Sequence, residues 1–198
     1  ILDLNSTLGH QHLKFDKQAR KIMKLADCKI SLNAIAKGYG ADLVAEYLHT
    51  QNICNFMVEV AGEVVTSGKN GNDANWRLAI EKPITDISSH QQVLIISDMA
   101  IATSGDYRKY FEINNKRFSH VLDPKTQKPI MHKLASVTVL DKSSARADAL
   151  ATAMLVMGDK KAYEFAEKHS LPVYLIIKKD SDFEVKHTDE MSKYLLSD

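Results

Sequence analysis

Asp148 and Thr152 stand four residues apart in a run of small and apolar residues, Ser143 to Met157, that reads as one helix. At that spacing both side chains leave the same face in adjacent turns. A carboxylate and a hydroxyl so placed suit magnesium, a hard cation that takes oxygen ligands and keeps its other positions for water and phosphate. A buried helix gives the same pattern if its Asp serves an early-turn amide and its Thr bonds back to the backbone. What stands around the pair must decide between the two.

Four other segments carry residues with chemical potential. Ala36-Lys37-Gly38-Tyr39 opens a predicted helix, where free N–H groups, the helix dipole and an ammonium can cradle an anion. A Lys beside a Gly is equally an ordinary surface pair. Val60-Ala61-Gly62-Glu63 joins two apolar strand candidates, and Gly62 marks a tight turn or bulge over which a ring system can lie. Ala102-Thr103-Ser104-Gly105-Asp106-Tyr107 leaves an apolar strand with small hydroxylic residues, the pattern of a ligand loop and also of a plain turn. Ser104 lacks the G-x-S-x-G elbow of a nucleophile. His120 lies between apolar residues in Phe118-Ser119-His120-Val121-Leu122-Asp123-Pro124; it can pack with one hydrogen bond, orient a phosphate or shuttle a proton near neutral pH. The other histidines show no zinc spacing.

The elements that must position these residues follow from periodicity and turn signals. Leu13–Asp16 and Ile22–Leu25 are strand candidates, although residues 17–24 fit a helix equally well. Asn33 is placed to cap a helix over residues 34–48, with Ile35, Leu43, Val44, Tyr47 and Leu48 as its apolar face. Gly38 and Gly40 weaken that helix by ~1 kcal/mol each relative to Ala, so another element is expected to approach its backbone closely. Short strands are predicted near residues 55–60, 63–67, 76–80, 92–96, 100–103, 108–113 and 116–122. The last two flank Asn114-Asn115, which suits a tight hairpin. A strand at 135–140, helices at 143–157 and 160–169, and a closing pair at 173–177 and 183–187 complete the chain. Strands thus come in runs with helices between the runs, which predicts an α+β fold with a largely antiparallel sheet.

Composition narrows the function classes. A chain of 198 residues with 44% hydrophobic and 26% charged residues can bury one good core. Its formal net charge of +1, with no basic run interleaved with aromatics, gives no footprint for nucleic acid. No segment reaches the ~20 apolar residues that span a bilayer as a helix. Cys28 and Cys54 are two free thiols or one disulfide.

Taken in order, seven segments resemble the FAD:protein FMN transferases of the ApbE type. They are Ile35-Ala36-Lys37-Gly38-Tyr39, Gly62-Glu63 with Ser67-Gly68, Trp76 to Pro83, Ala102 to Tyr107, Ser119 to Pro124, Ser136 to Val139, and Ala147 to Gly158. The resemblance covers about residues 30 to 187. It implies a T-fold-related α+β architecture in a single domain, residues 1–198, without the N-terminal part usual in the family. Members hold FAD with magnesium and move its FMN half to a Thr or Ser hydroxyl of a client, a redox-complex subunit or electron carrier. Some members hydrolyse FAD to FMN and AMP instead, and a non-catalytic flavin-binding relative is the third expectation.

By position, Asp148, Thr152 and the Ala36 carbonyl match the metal ligands, and His120 matches the histidine beside the reacting phosphate. Lys37, Gly38, Tyr39, Glu63 and the loop Thr103, Ser104, Gly105, Asp106, Tyr107 match segments that contact flavin or phosphate. The resemblance also implies a bacterial periplasmic protein, commonly lipid-anchored. Two departures stand out: Ser31-Leu32-Asn33-Ala34 and Glu59-Val60-Ala61-Gly62 replace glycine-richer runs of the family. Side chains at Asn33, Ala34 and Ala61 are expected to crowd backbone that meets nucleotide or flavin.

Overall fold

A computed structural model describes residues 7–83, 90–105, 110–113, 116–180 and 182–196 of the chain. A hairpin of β1 (Leu13–Asp16) and β2 (Lys21–Lys24) comes first, followed by helix α1 (Ala36–Thr50). Strands β3 (Phe56–Val60), β4 (Glu63–Ser67), β5 (Trp76–Glu81), β6 (His90–Ile96) and β7 (Ala100–Gly105) come next. Two small hairpins follow, β8 (Tyr110–Ile113) with β9 (Lys116–Ser119), and β10 (Leu122–Asp123) with β11 (Lys128–Pro129). Strand β12 (Leu134–Asp141) leads into α2 (Ser144–Met157) and α3 (Asp159–Lys168). The chain closes with β13 (Val173–Lys179), β14 (Asp182–His187) and a short α4 (Asp189–Ser192).

Six strands form one sheet in the order β14-β13-β12-β7-β4-β3, every neighbouring pair antiparallel. The α+β, antiparallel reading of the sequence therefore holds. Its strand β12 is buried along nearly its whole length because both faces of the sheet are covered. Alternation sorts its side chains. Ala102, Val137, Val139 and Leu175 face α2 and α3, where Ala147, Ala151, Met154 and Leu155 meet them. One residue along, Ile101, Leu140, Tyr174 and Ile176 point the other way, onto Ile80, Leu94 and Ile96 of the β5–β6 hairpin and onto Met191.

Helix α1 corrects one expectation. Of the expected apolar face, Ile35 just ahead of the helix and Leu43, Val44 and Tyr47 are exposed and Leu48 alone packs inward, while the buried face is the small-residue stripe Gly38, Ala41 and Ala45. Close packing against α2 and the edge of the sheet selects residues without bulk, so the larger apolar side chains end outward. Asn33 is not the cap; the helix starts after Ile35 without a side-chain cap. Ser143 does cap α2, accepting from the Arg146 N–H. Both cysteines are free thiols, Cys28 buried and Cys54 exposed. Among the described residues, no helix is long and apolar enough to cross a membrane.

Candidate functional site

The close approach predicted at the start of α1 is real at Gly38 and absent at Gly40. A Cβ on Gly38 would stand 2.7 Å from the Ala145 nitrogen and collide with the Ser144 carbonyl. A Cβ on Gly40 would make only an ordinary 3.6 Å contact with Val60. Gly38 thus lets the backbone of α1 lie directly on the first turn of α2. Asp42, one turn further along α1, fastens that contact. Its carboxylate accepts from the Ser144 N–H at 2.7 Å, the Ala145 N–H at 3.0 Å and the Ser143 hydroxyl at 2.8 Å. A carboxylate at a helix start also meets the positive end of its dipole. Asp42 escaped the sequence reading; the signal was there, since it lies four residues from Gly38 on the same face.

This crossing brings Asp148 to the start of α1. Asp148 is 2% exposed and accepts from the Gly38 N–H at 3.1 Å. The Lys37 ammonium lies 3.7 Å from its other oxygen and bonds the Glu63 carboxylate. Glu63 is 1% exposed, and its second oxygen has no hydrogen-bond partner among the described residues. Burial pushes the Glu63 carboxyl above the usual carboxylate range; Lys37 opposes that shift and the Asp148 charge adds to it. Two buried carboxylates facing one ammonium leave one unit of negative charge uncompensated, an expensive arrangement unless a proton or a cation joins it.

Thr152 does not bond back to its own helix. Its hydroxyl lies 3.0 Å from that of Ser104, on β7, which joins the third segment to α2. The neighbouring Thr103 meets Thr138 across the β7–β12 ladder at 2.8 Å between hydroxyls. Gly105 ends β7, and Asp106 and Tyr107 lie outside the described residues. Tyr39 projects from α1 at 56% exposure, and Ala36 is the first residue of that helix. His120 follows β9 on an exposed bend that leads into the β10–β11 hairpin.

Ala61 and Gly62 form the two-residue turn between β3 and β4, both at positive φ (51° and 97°), the mirror-type turn that such hairpins favour. That turn sets Glu63 at the first position of β4. Among the described residues, no group of three or more His, Cys, Asp or Glu side chains converges.

The chain matches the ApbE family over residues 1–175. It belongs to that family. An FAD:protein FMN transferase of Vibrio cholerae is 46% identical over 187 residues, covering 94% of this chain and 56% of the relative. One of Haemophilus influenzae is 48% identical over 165 residues, covering 83% and 48%. The crystal structure of the Pseudomonas stutzeri flavinyl transferase ApbE, apo form, superposes with a TM-score of 0.84 at 35% identity, covering 95% of this chain and 58% of that one. The chain therefore spans about half the length of the curated relatives it matches.

Proposed function

We propose that this chain carries the catalytic half of a reaction that splits FAD at its diphosphate and moves FMN to a Thr or Ser hydroxyl of a client protein. The observation that carries the reading is the cluster at the crossing of α1 and α2, where the buried carboxyl groups of Asp148 and Glu63 share the half-exposed Lys37 ammonium. Its donor chemistry fits magnesium. The Asp148 carboxylate, the Thr152 and Ser104 hydroxyls and, by family position, the Ala36 carbonyl supply only hard oxygens. The orphaned Glu63 oxygen, beside two buried carboxyl groups served by one ammonium, gives a divalent cation an electrostatic reason to be there. Held there by Asp148 and Thr152, such an ion would supply positive charge to offset that of a diphosphate and of the departing group.

The residues of the chain do the rest. Lys37, held between the two carboxylates, has an ammonium to offer a phosphate oxygen. Gly38 keeps the start of α1 tight against α2, so that the first-turn amides and Asp148 share one small region. In the transfer step the client oxygen bonds to the phosphorus of the FMN half, the bond to the bridging oxygen breaks, and AMP departs with that oxygen. The hydroxyl proton must go to a base. His120 takes that part here, accepting the proton or orienting the hydroxyl. Such chemistry rests on positioning and charge neutralisation more than on covalent participation.

The test is incubation with FAD, magnesium and a client bearing the acceptor Thr. Flavin fluorescence that stays with the denatured client is the expected result. Free FMN without labelled client would assign FAD hydrolysis instead. FAD binding without either product would make the chain a non-catalytic relative, and both outcomes overturn the proposal.

A further inference from the structure

A second site lies one helical turn from Thr152. A cavity of about 760 Å³ opens between the β10–β11 hairpin, the C-terminal half of α2 and the start of α3. Pro129, Ile130, Ala153, Val156 and Met157 give it an apolar floor, and Met131 beside it is 78% exposed. Lys125, Lys128 and Lys161 stand around it, all exposed. None of the three lysines belongs to an ion pair among the described residues. Asp123 also lines it, but its carboxylate is turned to its own loop, accepting from the Lys125 N–H at 2.8 Å. The surroundings therefore carry a surplus of positive charge over an apolar base.

His132 adds a polar marker. Its Nδ1 accepts from the Leu134 N–H at 3.3 Å, which leaves the proton of the neutral ring on Nε2. That Nε2 is buried and has no partner among the described residues, and the residue lines the cavity.

The geometry of α2 relates this cavity to the reaction centre. Thr152 and Val156, half-buried, and Ala153 and Met157, exposed, are neighbours on one side of the helix, a stripe that runs from the Ser104 contact into the cavity. Four residues of helix rise about 6 Å. An extended peptide covers about 3.3–3.6 Å per residue, so two or three residues span the same distance. We propose that the cavity docks the acceptor segment of the client: an apolar side chain two or three residues from the acceptor hydroxyl, flanked by carboxylates that meet the three lysines. This rests on the flavin-transfer reading for what lies at Thr152, but the docking itself can be measured without turnover.

The measurement is fluorescence anisotropy of dye-labelled 12-residue peptides titrated with the full chain in magnesium buffer. One peptide carries a Thr, a Leu two residues away and three Asp; a second replaces Asp by Lys; a third replaces Leu by Gly. The acidic Leu peptide should bind at least tenfold tighter than either other, and its advantage over the Lys peptide should shrink as salt rises. A variant with Lys125→Glu, Lys128→Glu and Lys161→Glu should reverse the charge preference. Ala153→Trp, at an exposed position, should abolish the advantage of Leu over Gly. Both variants are checked for native circular dichroism and for FAD affinity by flavin fluorescence.

Equal binding of the three peptides, or no binding, overturns the docking site. So does a loss of FAD affinity in the variants with peptide binding unchanged, which would hand the cavity to the nucleotide. Peptide preference without FAD cleavage would refute the transfer reading alone, whereas flavin transfer without peptide preference would refute the docking site alone.

Discussion

Gly38 and Gly40 sit two residues apart in the same helix, and the structure gives their replacement by Ala opposite signs. Each substitution gains about 1 kcal/mol of helix propensity. At Gly40 nothing opposes the gain, because the new methyl would sit 3.6 Å from Val60. At Gly38 the methyl would lie 2.5 Å from the Ser144 carbonyl carbon and 2.7 Å from the Ala145 nitrogen, both backbone atoms that no rotamer change can move aside. The helices must part. Overpacking of this kind costs about 1–3 kcal/mol. Stretching the 3.1 Å bond from Gly38 N–H to the Asp148 carboxylate forfeits much of a charge-assisted hydrogen bond, about 1.5–3 kcal/mol. The net for Gly38→Ala is a loss of about 2–4 kcal/mol. For a chain of this size each kcal/mol shifts Tm by about 2–4 °C. Thermal unfolding followed by circular dichroism should therefore show Gly38→Ala melting about 5–15 °C lower and Gly40→Ala about 2–4 °C higher. A Gly38→Ala protein as stable as Gly40→Ala would refute the tight α1–α2 crossing on which the site depends.

Three further outcomes follow from the same contacts. Asp42→Ala removes three hydrogen bonds and a charge from the start of α2; it should cost about 2 kcal/mol in chemical denaturation. Ala61→Gly relieves a left-handed Cβ clash at φ 51° worth about 1–2 kcal/mol but adds about 0.4–1 kcal/mol of unfolded-state entropy. A gain of roughly 0.5–1 kcal/mol should appear as a higher denaturation midpoint; a lower midpoint contradicts the turn assignment. Because the Glu63 carboxyl is raised in the folded chain, its contribution to stability is fully present below the ordinary Glu value and is lost as pH climbs through the raised one. The stability of the chain relative to Glu63→Gln should therefore fall over that window, and a rise there would mean that Lys37 outweighs burial.

The sequence showed the sheet well and the site in pieces. Strand alternation and the apolar run of β12 were legible because burial imposes them residue by residue. Periodicity misled at α1, where bulky residues mark the outward side and glycine and alanine mark the packed one. A hydrophobic pattern shows which residues are apolar, but an interface between closely crossing helices is selected for small size. The spacing of Asp148 and Thr152 was visible, but their partners were not. Lys37 with Glu63 spans 26 positions, Ser104 with Thr152 spans 48 and Gly38 with Asp148 spans 110, separations that only the fold closes.

The account turns on a cation held at Asp148. Mn2+ titration followed by electron paramagnetic resonance, with FAD present, measures that directly on the chain and on Asp148→Asn, which keeps the side-chain shape but removes the charge. Wild-type chain should bind one ion, and Asp148→Asn should need at least tenfold more metal to reach half-saturation while unfolding at a similar temperature. Indistinguishable titrations would contradict the metal role of Asp148 and the proposed transfer chemistry that relies on it.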